Sequence, residues 1–229
     1  MNAGIVYYTD NSCSERIMYY CRRQIQRCTG MPIVSVSHIP INFGYNITVD
    51  LPRGATSIFR QIYTGLQNIK ADIVFLCEHD VLYHPSHFDF MPDDERFYYN
   101  QNRWQVCYRT GHALYRKTCC TSLCVAYKAS YLKHFDALMK VIEAGNYSRA
   151  KHGYAPSTHR IDGVPRIGIN YFNSEVPCID IRHENNFTPN RWKKEQYSTH
   201  SRREWTESDT VPGWGKTEGR FYEFLQEVA

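Results

Sequence analysis

The chain has 229 residues, 42% hydrophobic and 14% aromatic, enough for one large domain with a sizeable core. Its formal net charge of +4, with ten histidines beside it, permits an anionic partner without requiring one. No run approaches the ~18 apolar residues of a membrane-spanning helix. The opening MNAGIVYYTDN has no basic segment and no long apolar stretch, so no signal peptide and a cytoplasmic location (host cytoplasm if viral) are expected.

Gly4 to Tyr8 is a short β-prone run ending at Thr9-Asp10-Asn11. Ser14 then offers a helix N-cap, and Ile17, Cys21, Ile25 and Cys28 recur on one helical face. Gly30 and Pro32 close that helix, and Ile33 to Val36 is a second strand. Phe43 to Gly54 reads as a polar loop. Thr56 or Ser57 can cap the next helix, striped by Ile58, Ile62, Leu66 and Ile69. The apolar strand Ile73 to Leu76 follows, and the resulting β-α-β-α-β order predicts a doubly wound α/β sheet.

Beyond residue 90 the pattern loosens. Strands are expected at 96–99, 106–108, 123–127 and 176–181, and a helix at 131–144. Residues 146–163 form a polar, irregular segment, and the stretch from Asn185 on is rich in charge, Trp and Gly.

The third strand ends in Glu78-His79-Asp80. Ligands of open α/β sheets sit beyond the carboxyl ends of the strands, where Thr9-Asp10 also lies. Two carboxylates held together there call for a cation, and a hard divalent ion with oxygen ligands is the natural partner. An apolar strand followed by Glu78-His79-Asp80 resembles the D-x-D motif of GT-A glycosyltransferases, with Glu in place of the first Asp. The resemblance covers residues 4–90 and, in part, 176–192. It implies a GT-A-like, Rossmann-type, mostly parallel sheet with a mixed acceptor-side half. The expected division is a nucleotide-sugar half (1–90), an acceptor half (91–192) and a C-terminal extension (193–229).

The same resemblance implies Mn²⁺ or Mg²⁺ on Glu78 and Asp80, with His183 in IDIRHENNFTPNRW completing the metal shell. Thr9 and Asp10 would meet the base and ribose of a nucleotide diphosphate sugar, UDP-linked in the first instance. Arg60, Arg182 or Arg191 would face its phosphates. The late VPGWGKTEGRF is similar to the tail of small glycosyltransferase-like proteins of phages and bacteria. For an inverting reaction, Asp162 in HRIDGVPRIG or Glu175 would deprotonate the acceptor hydroxyl. The basic pairs Arg22-Arg23, Lys193-Lys194 and Arg202-Arg203 raise a hydroxylated DNA base as one acceptor, and a saccharide or other hydroxyl as the rest.

Other readings compete at the same residues. A nucleotidyltransferase would share the sheet and carboxylates, but Asp10-Asn11-Ser12-Cys13 has no glycine for a phosphate loop. A non-catalytic nucleic-acid-binding protein would use the carboxylates as caps. The nine dispersed cysteines read as reduced thiols. Zinc on Cys119, Cys120 and Cys124, or on His79, His84 and His87, lacks a full ligand set. His79 itself is expected to turn away into packing.

Overall fold

The computed structural model describes residues 2–149, 153, 155–197 and 204–228. Its first half holds β1 (Ala3–Thr9), α1 (Glu15–Cys28), β2 (Ile33–Ser37), β3 (Tyr45–Thr48), α2 (Ala55–Asn68) and β4 (Ile73–Glu78). Then come β5 (Val81–Leu82), α3 (Pro85–Phe88), β6 (Phe97–Asn100), β7 (Arg103–Cys107), β8 (Ala113–Tyr115), β9 (Cys124–Tyr127) and α4 (Lys128–Glu143). The remainder supplies β10 (Ile169–Phe172), β11 (Cys178–Arg182), β12 (Thr206–Ser208), β13 (Thr210–Val211), β14 (Gly215–Lys216) and a last helix, α5 (Phe221–Val228).

The central sheet has the order β10-β6-β9-β4-β1-β2-β3. Every pairing is parallel except those made by β9, which runs against β4 and β6. The expected α/β class with a mostly parallel sheet is therefore found. The 3-2-1-4 run of its first half is the doubly wound order, and its direction of winding reverses between β1 and β4.

Alternation along the strands splits the core in two. Val6, Tyr8, Val74 and Leu76 face α2 and α4, meeting Phe59, Ile62, Leu66 and Phe135. Ile5, Tyr7, Ile73 and Phe75 face the other way, against Ile25, Phe43 and Phe88. Gly65 lets α2 sit close on β1, because a Cβ there would lie 2.5 Å from Val6 Cγ1.

A second sheet, β12-β8-β7-β11-β5, packs its Trp104, Val106, Ile179 and Ile181 with Ile17, Met18 and Cys21 of α1 and with Phe221 and Phe224 of α5. α1 is thus buried on two sides, one stripe toward each sheet. The C-terminal residues supply β12 and α5 to this layer.

Some local expectations differ. The stretch expected as a loop at 43–54 contains β3, a short, half-exposed edge strand paired to β2. Gly54, not Thr56 or Ser57, occupies the N-cap of α2, and the Ser57 hydroxyl donates back to the Pro52 carbonyl. The helix expected at 131–144 begins three residues earlier, at Lys128.

Candidate functional site

A pocket of about 510 Å³ opens at the carboxyl ends of β1 and β4, at the switch in winding. Thr9, Asp10, Glu78 and Asp80 all line it. Local turns fix both strand ends. The Ser12 amide donates to Asp10 Oδ1 at 3.0 Å, and Asn11, at φ 57°, accepts from the His38 and Ile39 amides beyond β2. Gln61 of α2 donates to the Thr9 carbonyl at 2.6 Å. At the other strand end the Glu78 amide donates to Tyr83 Oη at 3.0 Å, and that hydroxyl donates to the Ser122 carbonyl at 2.8 Å.

β5 explains how His183, a hundred residues on, reaches Asp80. β5 follows Asp80 directly and pairs antiparallel with β11, placing Asp180 opposite Val81. The Ile181 amide donates to the Asp80 carbonyl at 2.8 Å. The chain leaving β11 therefore brings His183 beside the tip of β4, with Nε2 3.4 Å from Asp80 Oδ2. Asn186 Nδ2 donates to the same oxygen at 2.7 Å. His183 lies behind Asp80 and is 3% exposed.

The two carboxyls are held in different states. Burial pushes Glu78 well up, and repulsion from Asp80, Asp180 and Asp10 adds to it. Burial also pushes Asp80 up, but His79, His183 and Arg182 outweigh it and hold Asp80 below the usual carboxylate range. Tyr8 Oη approaches Glu78 at 3.5 Å. Among the described residues no lysine or arginine pairs directly with either carboxylate. Two carboxyl groups lining one pocket, with no lysine or arginine bound to them among the described residues, fit Mn²⁺ or Mg²⁺.

Four arginines, Arg53, Arg103, Arg116 and Arg182, line the same pocket. Asp180 of β11 binds Arg103 of β7 through Oδ2 and lies 3.6 Å from Arg182 through Oδ1. Gln105, opposite Asp180 in the sheet, donates to it at 3.3 Å. Arg116, with Nε buried and unpartnered, sits over the Tyr197 ring at 4.4 Å. At the rim Arg53 binds Asp10 at 2.6 Å and the Asn185 carbonyl. Asp10 is held low: its burial is outweighed by Ser12, His79 and Arg53.

The remaining sequence candidates lie elsewhere. Arg60 is on α2 outside the pocket lining, and Ile58 and Gln61 of that helix face it instead. Arg191 is exposed and donates to the Gln196 carbonyl at 3.3 Å. Asp162 is 83% exposed, 3.8 Å from Arg160, and Glu175 is exposed before β11. His79 does not simply pack away: it lines the pocket. Its ring also lies with Cys13 and His183, their donor atoms all within 4.8 Å. The cysteines are free. His84 and His87 do not join His79: His84 Nδ1 meets Ser86, and His87 stacks on Phe172. Sequence reading missed Arg53, Arg103, Arg116 and Asp180, whose convergence depends on sheet pairing.

No family model matches the chain, and no curated protein does. Among solved structures it is similar to the apo form of the glycosyltransferase GlyE of Streptococcus pneumoniae TIGR4, at 9% identity and a TM-score of 0.38. That similarity covers 74% of this chain and 45% of GlyE, so the chain spans less than half of that protein. A likeness at this score carries no argument about chemistry.

Proposed function

We propose that the chain is a metal-dependent glycosyltransferase. It would move a sugar from a nucleotide diphosphate sugar, UDP-linked in the first instance, to an acceptor hydroxyl. One observation carries this reading. Two carboxylates, Glu78 half-buried and Asp80 buried, with no lysine or arginine bound to either among the described residues, line a pocket at the sheet's switch point, and arginines line the same pocket. A cation on one side and guanidiniums on the other suit a diphosphate.

In this reading Glu78 and Asp80 hold the ion, with His183 behind Asp80. A divalent ion held there would supply Lewis-acid stabilisation of the charge on the departing diphosphate. Thr9 and Asp10 orient the nucleoside at the end of β1, and Arg53 steadies Asp10. Arg182, on the pocket wall, takes the phosphate role that sequence reading shared with Arg60 and Arg191. Residues 1–90 act as the donor half and 91–192 as the acceptor half, with 193–229 a C-terminal extension.

The acceptor hydroxyl belongs to a saccharide or, as one class, to a hydroxylated DNA base. Of the basic pairs, Arg22 is bound to Glu15, and Arg202-Arg203 lie outside the described residues. A mobility-shift titration at low salt that shows no duplex retardation removes the DNA acceptor alone.

Thermal unfolding with Mn²⁺ and UDP tests the donor site. At a hundredfold excess over Kd, binding adds about 2.7 kcal/mol, a rise of about 5–10 °C for a chain of this size. D80N is expected to abolish the rise while still folding. An unchanged rise in D80N would refute the assignment.

A further inference from the structure

Three elements place a second kind of donor set behind the carboxylates. Cys13 comes from the loop after β1, His79 from the turn after β4, and His183 from the end of β11. They are 5%, 6% and 3% exposed. Their ligand atoms all lie within 4.8 Å of one another. His79 Nδ1 is buried with no hydrogen-bond partner, although such groups normally find one, and buried His183 Nε2 meets only Asp80, at 3.4 Å. The Asp80 carboxylate lies outside this mutually close group.

We propose that Cys13, His79 and His183 form a three-donor binding site for a soft divalent transition metal, Zn²⁺ in the first instance. Two imidazoles and a thiolate select zinc or cobalt, whereas carboxylate pairs select Mg²⁺ or Mn²⁺. A tetrahedral zinc ion, with Zn–N of about 2.0–2.1 Å and Zn–S of about 2.3 Å, sets donor atoms roughly 3.4–3.7 Å apart. The cluster must therefore close by about an ångström, which side-chain torsions supply. A thiolate offsets part of the ion's charge in this buried place, and the Asp80 carboxylate lies close by, 3.4 Å from His183 Nε2.

Loading has one structural consequence. The Asn185 amide donates to His183 Nδ1 at 3.2 Å. A ring that ligates through Nε2 carries its proton on Nδ1, so that amide must turn away. Asn185 also donates to the Ser12 carbonyl at 2.9 Å and accepts from Arg53. The ion thus bears on the rim of the pocket.

The test uses no nucleotide, so its outcome is independent of the sugar-transfer reading. Co²⁺ is titrated into the reduced full-length chain and absorption is recorded. One equivalent is expected to bring a thiolate-to-cobalt charge-transfer band and tetrahedral d–d bands. Zn²⁺ should erase both. C13S should lose the charge-transfer band. H79N, which leaves the thiol in place, should weaken Co²⁺ binding by at least about tenfold, the scale expected for losing one ligand. Absence of the band in the folded wild-type chain, or an equal band in folded C13S, overturns the proposal. Should H79N not fold, the C13S comparison alone decides it.

Discussion

Asp180 holds the arginine wall, and replacing it by alanine tests that role. Its side chain is 7% exposed and lies against Arg103 and Arg182, themselves 5% and 9% exposed. Removing the carboxylate takes the shared anion from two buried guanidiniums, of which Arg182 keeps its Thr188 and Asn190 contacts. Breaking a buried pair from one side costs about 3–5 kcal/mol. At about 2–4 °C per kcal/mol for this chain length, D180A should melt roughly 6–20 °C below wild type. D180N, which keeps an acceptor oxygen, should fall between. Circular dichroism melts read the loss directly. A second readout concerns Glu78 and Asp80. Guanidiniums released from Asp180 become free to pair with those two carboxylates, so Mn²⁺ binding in folded D180N should weaken. A D180A melt within about 2 °C of wild type, less than one kcal/mol by the same conversion, would refute this account of the wall.

Other outcomes follow from the same geometry. G65A should destabilise the chain by about 1–3 kcal/mol through overpacking against Val6, less any gain in helix propensity, read as a lower urea midpoint. Burial lowers His87 to about 3 and His134 to about 4. Below an unfolded value near 6.5 the unfolded chain takes up protons that these native rings refuse, so stability falls as pH drops. At pH 5 the loss is about 2 kcal/mol per ring, and H134F should remove one such share of the difference between pH 7 and pH 5. D162N and E175Q, at exposed positions outside the pocket, should leave sugar transfer within about twofold of wild type. A tenfold loss in either would return that residue to the acceptor side of the reaction.

What the sequence disclosed and what it hid have separate physical causes. The α1 stripe and the run before Glu78 are local patterns, and both became buried elements with their polar ends at the pocket. β3 escaped because Tyr45–Thr48 is half exposed and polar, held by pairing with β2 rather than by its own pattern. β5 is two residues long, too short for any periodicity, yet its pairing with β11 is what sets His183 beside Asp80. Arg103, Asp180 and Arg182 meet through the β7–β11 register, which no single segment encodes. Asp162 and Glu175 were singled out by chemistry alone, and their exposure and their place outside the pocket lining are features that sequence does not show. Cys13 and His79 went unlinked because the loops carrying them come together only when β1 and β4 lie side by side.

The most direct measurement is a crystal grown or soaked with UDP and Mn²⁺, with data collected for anomalous scattering. The proposed donor site predicts a manganese peak within coordinating distance of Asp80, beside the diphosphate, with the uridine toward Thr9 and Asp10. Diphosphate bound on the arginines with no manganese at Glu78 or Asp80, or no nucleotide in the pocket at all, would contradict it.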